Sequence, residues 1–191
     1  MAAAVLALAV AACSDPGAEE AAPGPFPGSA PSLQALGRDV LTDLVAGDTV
    51  ALNRFRLTEM EHNETVWPEL PASAREVNFP VDIAWSNIEL RNSRALRRLL
   101  PTMKSGDFSF EHVFCRGPVE EFRTFRVHTE CWLVFTDGGG GTRLEMQAFK
   151  DVLERGGGFK VFRYYEAAPR PVVVGTEEGK EWSRRAREGN A

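Results

Sequence analysis

The hydrophobic pattern of this chain changes period once, near Gly106, and that change restricts what it can fold into. Before it, apolar residues recur at helical spacing. Leu33, Leu36, Val40, Leu41 and Leu44 form one such stripe, and Gly47 ends it. Ser29 can cap this helix with Pro31 in its first turn, and Ser32 is the alternative cap. Asp48 can cap a second, short helix carrying Leu52 and Phe55. Thr58 with Glu61 three residues on is a capping-box signature, opening a further turn or two toward Trp67-Pro68. After a loop over residues 71–80 comes a long third helix. Its stripe is Val81, Ala84, Trp85, Ile88, Ala95, Leu96, Leu99 and Leu100, while Arg91, Arg94, Arg97 and Arg98 cover much of the rest. Pro101 and Gly106 are expected to end it.

Beyond Gly106 the period is two. Phe108, Phe110, His112 and Phe114 alternate with polar or small residues. Phe125, Val127, Thr129, Cys131, Leu133 and Phe135 predict one long strand. Asp137 and the glycines at 138–141 then make a turn, and Leu144, Met146 and Ala148 continue on the return strand. Glycines 156–158 make the next turn, before Phe159, Val161 and Tyr165. Helices followed by an antiparallel run predict an α+β fold. Three N-terminal helices would pack on a curved four-stranded antiparallel sheet, a meander. The paired helices joined by Val45-Ala46-Gly47-Asp48, the long third helix and the closing hairpins carry a resemblance. Those hairpins begin with Cys131-Trp132-Leu133-Val134-Phe135-Thr136-Asp137-Gly138 and end with Gly158-Phe159-Lys160-Val161-Phe162-Arg163-Tyr164-Tyr165. The pattern over residues 32–166 resembles the nuclear transport factor two-like superfamily, a cone-shaped α+β fold. The resemblance implies a cone between helices and sheet, where catalytic members place their acids and bases.

The N-terminus opens on the apolar run Val5-Leu6-Ala7-Leu8-Ala9-Val10, too short to span a bilayer but suited to a signal peptide. Val10-Ala11-Ala12-Cys13 resembles a bacterial lipobox, which implies cleavage before Cys13, acylation of its thiol and an N-terminal lipid anchor in a membrane. The expected organisation is a signal peptide over residues 1–12, a lipidated flexible tether over 13–31, one domain over 32–166 and a disordered tail over 167–191. Ser14 in place of Asp after the cysteine implies, by the same resemblance, the outer membrane of a Gram-negative envelope.

A net charge of −5 argues against a nucleic-acid partner. The three histidines are scattered, and no Cys-His cluster has zinc spacing, so neither metal nor cofactor is expected. The glycine runs lack the ending and the following helix that a phosphate cradle needs. His112 is the candidate general base, on a strand face shared with Phe108, Phe110 and Phe114, although a core histidine would have the same pattern. His128, in phase with Arg126, Glu130 and Trp132, is expected to face outward among cross-strand charges. Glu59 and His62 stand three apart on a helix and read as a solvated face, since no second pair completes a metal site.

An oxidising compartment favours a bridge between Cys115 and Cys131. Strand register opposes it: a tight hairpin at Gly117-Pro118 would put Cys115 opposite about Glu120. The bridge requires a wide connection between the two strands. Three functions follow as expectations. The first is a non-enzymatic envelope lipoprotein that binds a protein or a small apolar ligand in its cone. The second is an isomerase- or dehydratase-like enzyme using His112. The third is a structural homodimer joined through an open sheet face, with Trp132 as anchor.

Overall fold

The computed structural model describes residues 23–172. Cys13, the expected signal peptide, the expected tether up to residue 22 and the expected tail from residue 173 lie outside the described residues. The first helix, α1 (Leu33–Ala46), begins at Ser32 rather than Ser29, with the Ser32 hydroxyl accepting from the Ala35 N–H at 3.0 Å. It ends at Gly47, whose φ of 71° is the left-handed conformation that glycine adopts without strain. Asp48 caps α2 (Thr49–Arg54) by accepting from the Val50 and Ala51 N–H groups. The Thr58–Glu61 capping box is present and opens α3 (Glu59–Glu61), a single turn. A π-turn over His62–Val66 and two short 3-10 turns carry the chain toward α4 (Val81–Met103).

Pro101 does not stop α4. It sits inside the last turn, and the Lys104 N–H still reaches the Leu100 carbonyl. One missing N–H near a helix end is tolerated when the turn around it is held by packing, and Leu99 and Met103 are buried on either side. Of the predicted apolar stripe of α4 only Ala95, Leu96 and Leu99 are buried, joined by Asn92 and Met103, which the stripe did not include.

The strands form two antiparallel sheets of four rather than one meander of four. The first has the order β1-β4-β5-β8, from β1 (Phe108–Cys115), β4 (Cys131–Asp137), β5 (Thr142–Met146) and β8 (Arg170–Pro171). The second has the order β2-β3-β6-β7, from β2 (Val119–Glu121), β3 (Arg126–Thr129), β6 (Phe149–Arg155) and β7 (Gly158–Tyr164). The long strand expected from Phe125 to Phe135 breaks at Glu130, whose φ is 54°. That reversal sends β3 into one sheet and β4 into the other. The return strand divides likewise between Met146 and Phe149.

The main core lies between α1, the second half of α4 and the sheets. Leu36, Leu44, Leu133, Phe135, Met146 and Phe149 are all closed to solvent there. Each contributes about 1.5–3 kcal/mol by leaving water. Gly37 lets α1 approach β1: a Cβ there would overlap Val113 and press on Phe110. Gln34 fastens the same contact, donating from Nε2 to the Val113 carbonyl and accepting its N–H, both at 2.8 Å. A smaller core gathers Phe26, Leu57, Val66, Phe125, Val127 and Leu153. The described part of the expected tether over residues 13–31 belongs to the fold, because Phe26 and Ala30 are packed and Ala30 pairs with Phe159. The domain also runs past Glu166, since β8 pairs with β5. No helix among the described residues is long and apolar enough to cross a membrane.

Candidate functional site

Of the candidate residues the structure joins only Cys115 and Cys131. Cys13 is outside the described residues. His112 lies in β1, but a bulge between Phe110 and His112 turns the strand over. Phe110 pairs with Phe135 on the core face, whereas His112 pairs with Val134 on the opposite one. The expected face of Phe108, Phe110, His112 and Phe114 is thus split, and only Phe114 stays with the histidine. Burial and the nearby Arg143 guanidinium push the His112 imidazole down to about 4, so it is neutral at pH 7. Glu111, the adjacent carboxylate, is bound to Arg143 at 2.6 Å.

Trp132 lies on the His112 face and is not an open anchor. The guanidinium groups of Arg116 and Arg170 each lie 4.6 Å from its ring centre. Both reach the buried Glu145 carboxylate, Arg170 at 2.6 Å and Arg116 at 3.1 Å. This arrangement covers the indole with paired charge.

Cys115 and Cys131 are disulfide-bonded, with Cα atoms 3.9 Å apart. The expected obstacle was the register of a tight hairpin. β1 instead pairs directly with β4, placing Cys115 opposite Cys131. The fifteen residues between them leave for the second sheet as the β2–β3 hairpin, which supplies the wide connection.

His128 donates from Nε2 to the Glu154 carboxylate across β3–β6 at 2.8 Å, the expected cross-strand pairing, though both side chains are largely buried. His62 is not on a solvated face. It is fully buried between Trp67 and Trp85, with ring centres at 5.8 and 5.4 Å, while Glu59 is exposed. Its Nδ1 meets Asn63 at 2.6 Å, and burial lowers its pKa. Among the described residues no group of three or more histidine, cysteine or acidic side chains could hold a metal.

The concave feature with distinctive chemistry lies elsewhere, between α4 and the β6–β7 pair. It is a groove of about 280 Å³. Arg91, Arg94 and Ala95 line it from α4, Lys150 from β6, Arg163 and Tyr164 from β7, and Tyr165 and Glu166 from the segment that follows. Two interactions set its walls. The buried Asn92 side chain accepts the Tyr164 N–H at 2.8 Å, locking α4 to the end of β7. The Tyr164 hydroxyl donates to the Leu52 carbonyl at 2.8 Å, anchoring that strand end in the core.

A register shift in β6–β7 leaves Lys150 unpaired between Phe149, opposite Tyr164, and Asp151, opposite Arg163. Such bulges re-aim side chains, and here Lys150 points into the groove. Arg163 meets Asp151 at only 3.4 Å, and its buried Nε has no hydrogen-bond partner. Glu166 receives Arg98 at 2.7 Å through Oε1, while its buried Oε2 has no partner. Four cations and one carboxylate therefore line a cleft on a protein of net charge −5. Sequence reasoning named Arg91 and Arg94 only as the polar cover of a helix. Their spacing of three was the available signal, but nothing local placed Lys150 and Arg163 across from them.

No family model matches the chain, and no match is found among curated proteins or among solved structures.

Proposed function

We propose that this chain is an envelope lipoprotein, anchored through acylated Cys13, whose domain is a non-enzymatic binding module for a small molecule. The groove between α4 and β7 carries the reading. It combines concave shape, convergent polar side chains and two buried polar atoms without partners. The expected apolar ligand inside the cone has less support, because large side chains closed to solvent occupy the interior between α1 and the sheets. An enzyme based on His112 has less support too. Glu111, the carboxylate next to His112 in the chain, is held by Arg143, and the groove is built from other elements. Amide NMR of the full chain tests the reading, using the small-molecule fraction extracted from the envelope. Shifts confined to residues 91–95, 150 and 163–166 are expected. Shifts centred on residues 111–114 would move the site to His112, and a spectrum without change would contradict small-molecule binding.

A further inference from the structure

We infer that the α4–β7 groove takes a small hydroxylated phosphate ester, an inference that rests on reading the groove as a binding site. The charge count is the first argument. Asp151 faces Arg163, and Arg98 holds Glu166, so these charges are matched. The side chains of Arg91 and Arg94 enter no ion pair among the described residues, and Lys150 enters none either, its charge felt only by neighbouring Asp151. Two arginines without an ion-pair partner, with Lys150 shared only with Asp151, suit a phosphate of about −1.5 to −2 charge better than a single carboxylate.

Geometry is the second argument. Arg91 and Arg94 stand three apart on α4 and so project from neighbouring positions on one helix face. Guanidinium forks match the spacing of phosphate oxygens. Lys150 approaches from the bulge on the opposite wall, and the free Nε–H of Arg163 supplies a further donor. Donors from two walls surround a tetrahedral anion better than donors from one.

Glu166 defines the rest of the ligand. Its Oε2 is buried in a groove otherwise rich in donors, and it lacks a donor of its own. A ligand hydroxyl beside the phosphate would satisfy it, and a bare anion would leave it facing like charge. The volume of about 280 Å³ falls just under the range of about 300–1,000 Å³ seen for drug-sized ligands, which limits the molecule to a small polyol phosphate or a headgroup of that size. The half-exposed Tyr165 ring offers an apolar wall for its carbon skeleton.

Calorimetric titration of the full chain with glycerol phosphate, methyl phosphate and glycerol tests this. Glycerol phosphate should bind best, with affinity falling as salt rises, and glycerol should not bind. Arg91→Ala with Arg94→Ala should weaken binding by at least about tenfold, since each removes a charged hydrogen bond. Glu166→Gln should reduce the preference for glycerol phosphate over methyl phosphate. Both arginines are exposed, so the double variant should keep its fold, which circular dichroism checks. Lys150→Ala provides an independent second variant. Vesicles containing phosphatidylglycerol, compared with phosphatidylcholine vesicles, separate a lipid headgroup from a soluble ester. Binding to the vesicles alone that needs Arg91 and Arg94 assigns the lipid source, and binding to the free ester assigns the soluble one. Glycerol binding as tightly as glycerol phosphate, with amide shifts in the groove, would overturn the phosphate inference and leave the binding site standing. Absence of binding by every probe, with the envelope extract still shifting the groove amides, would overturn it in the same way. Silence in both experiments would overturn the site itself.

Discussion

Two histidines are held neutral by their surroundings, and each ties stability to pH. His62 is enclosed by Trp67 and Trp85, and His112 is pressed by burial and by Arg143. Both pKa values are lowered in the fold, that of His112 to about 4 from the ordinary imidazole value of 6.5. Below pH 6.5 the unfolded chain therefore binds protons that the fold refuses. Stability from these groups is complete above that pH and is lost as pH falls toward 4. Thermal unfolding followed from pH 7 to pH 4 should show a falling midpoint, and His112→Phe should flatten part of the slope. An unchanged slope in that variant would show that His112 titrates normally. His112 was legible as a buried-type histidine from its aromatic neighbours. Its face was not, because the bulge after Phe110 inverts every later side chain of β1 without altering the alternation that a sequence displays.

At the scale of elements, the helices were read closely and the sheets were not. Ser32, Gly47, Asp48 and the Thr58–Glu61 box all act locally, within a turn of the residues they serve, so local sequence reveals them. The break at Glu130 leaves Val127, Cys131, Leu133 and Phe135 in unbroken alternation, so a single strand and two strands in different sheets look alike. The same hidden turn resolves the cysteine pairing, since it brings β4 beside β1. Replacing Cys115 and Cys131 together by serine should cost about 3 kcal/mol in chemical denaturation, for a closed loop of this size. Gly37→Val should cost a further 1–3 kcal/mol, about the penalty of overpacking, by forcing α1 off β1. The buried pair of Lys160 and Glu61, whose oxygens both lie 2.8 Å from Nζ, ties β7 to the capping turn. Lys160→Met alone should destabilise by about 3–5 kcal/mol, because it strands a buried carboxylate. Adding Glu61→Gln should recover much of that loss, and a double variant as unstable as the single one would show that the cost lies in packing.

For the whole molecule, the distribution of charge says more than its total. A chain of net charge −5 concentrates Arg91, Arg94, Lys150 and Arg163 around one groove, where low-dielectric walls strengthen their field. The segment from Pro23 onward is packed against the β6–β7 turn, with Arg155 donating to the Gly24 carbonyl. Only about ten residues thus separate Cys13 from the folded domain, an extended reach of about 35 Å. Acylation at Cys13 would hold the β6–β7 turn, against which Pro23 packs, within that distance of the bilayer, and Cys13→Ala should release the protein from the membrane fraction. The central claim is that the groove holds a small molecule, and native mass spectrometry of the full chain purified from the cells that make it tests it most directly. The wild-type chain should carry an added small-molecule mass, and Arg94→Trp, which fills the groove, should not. The same added mass on both, or on neither, would contradict the assignment of the groove.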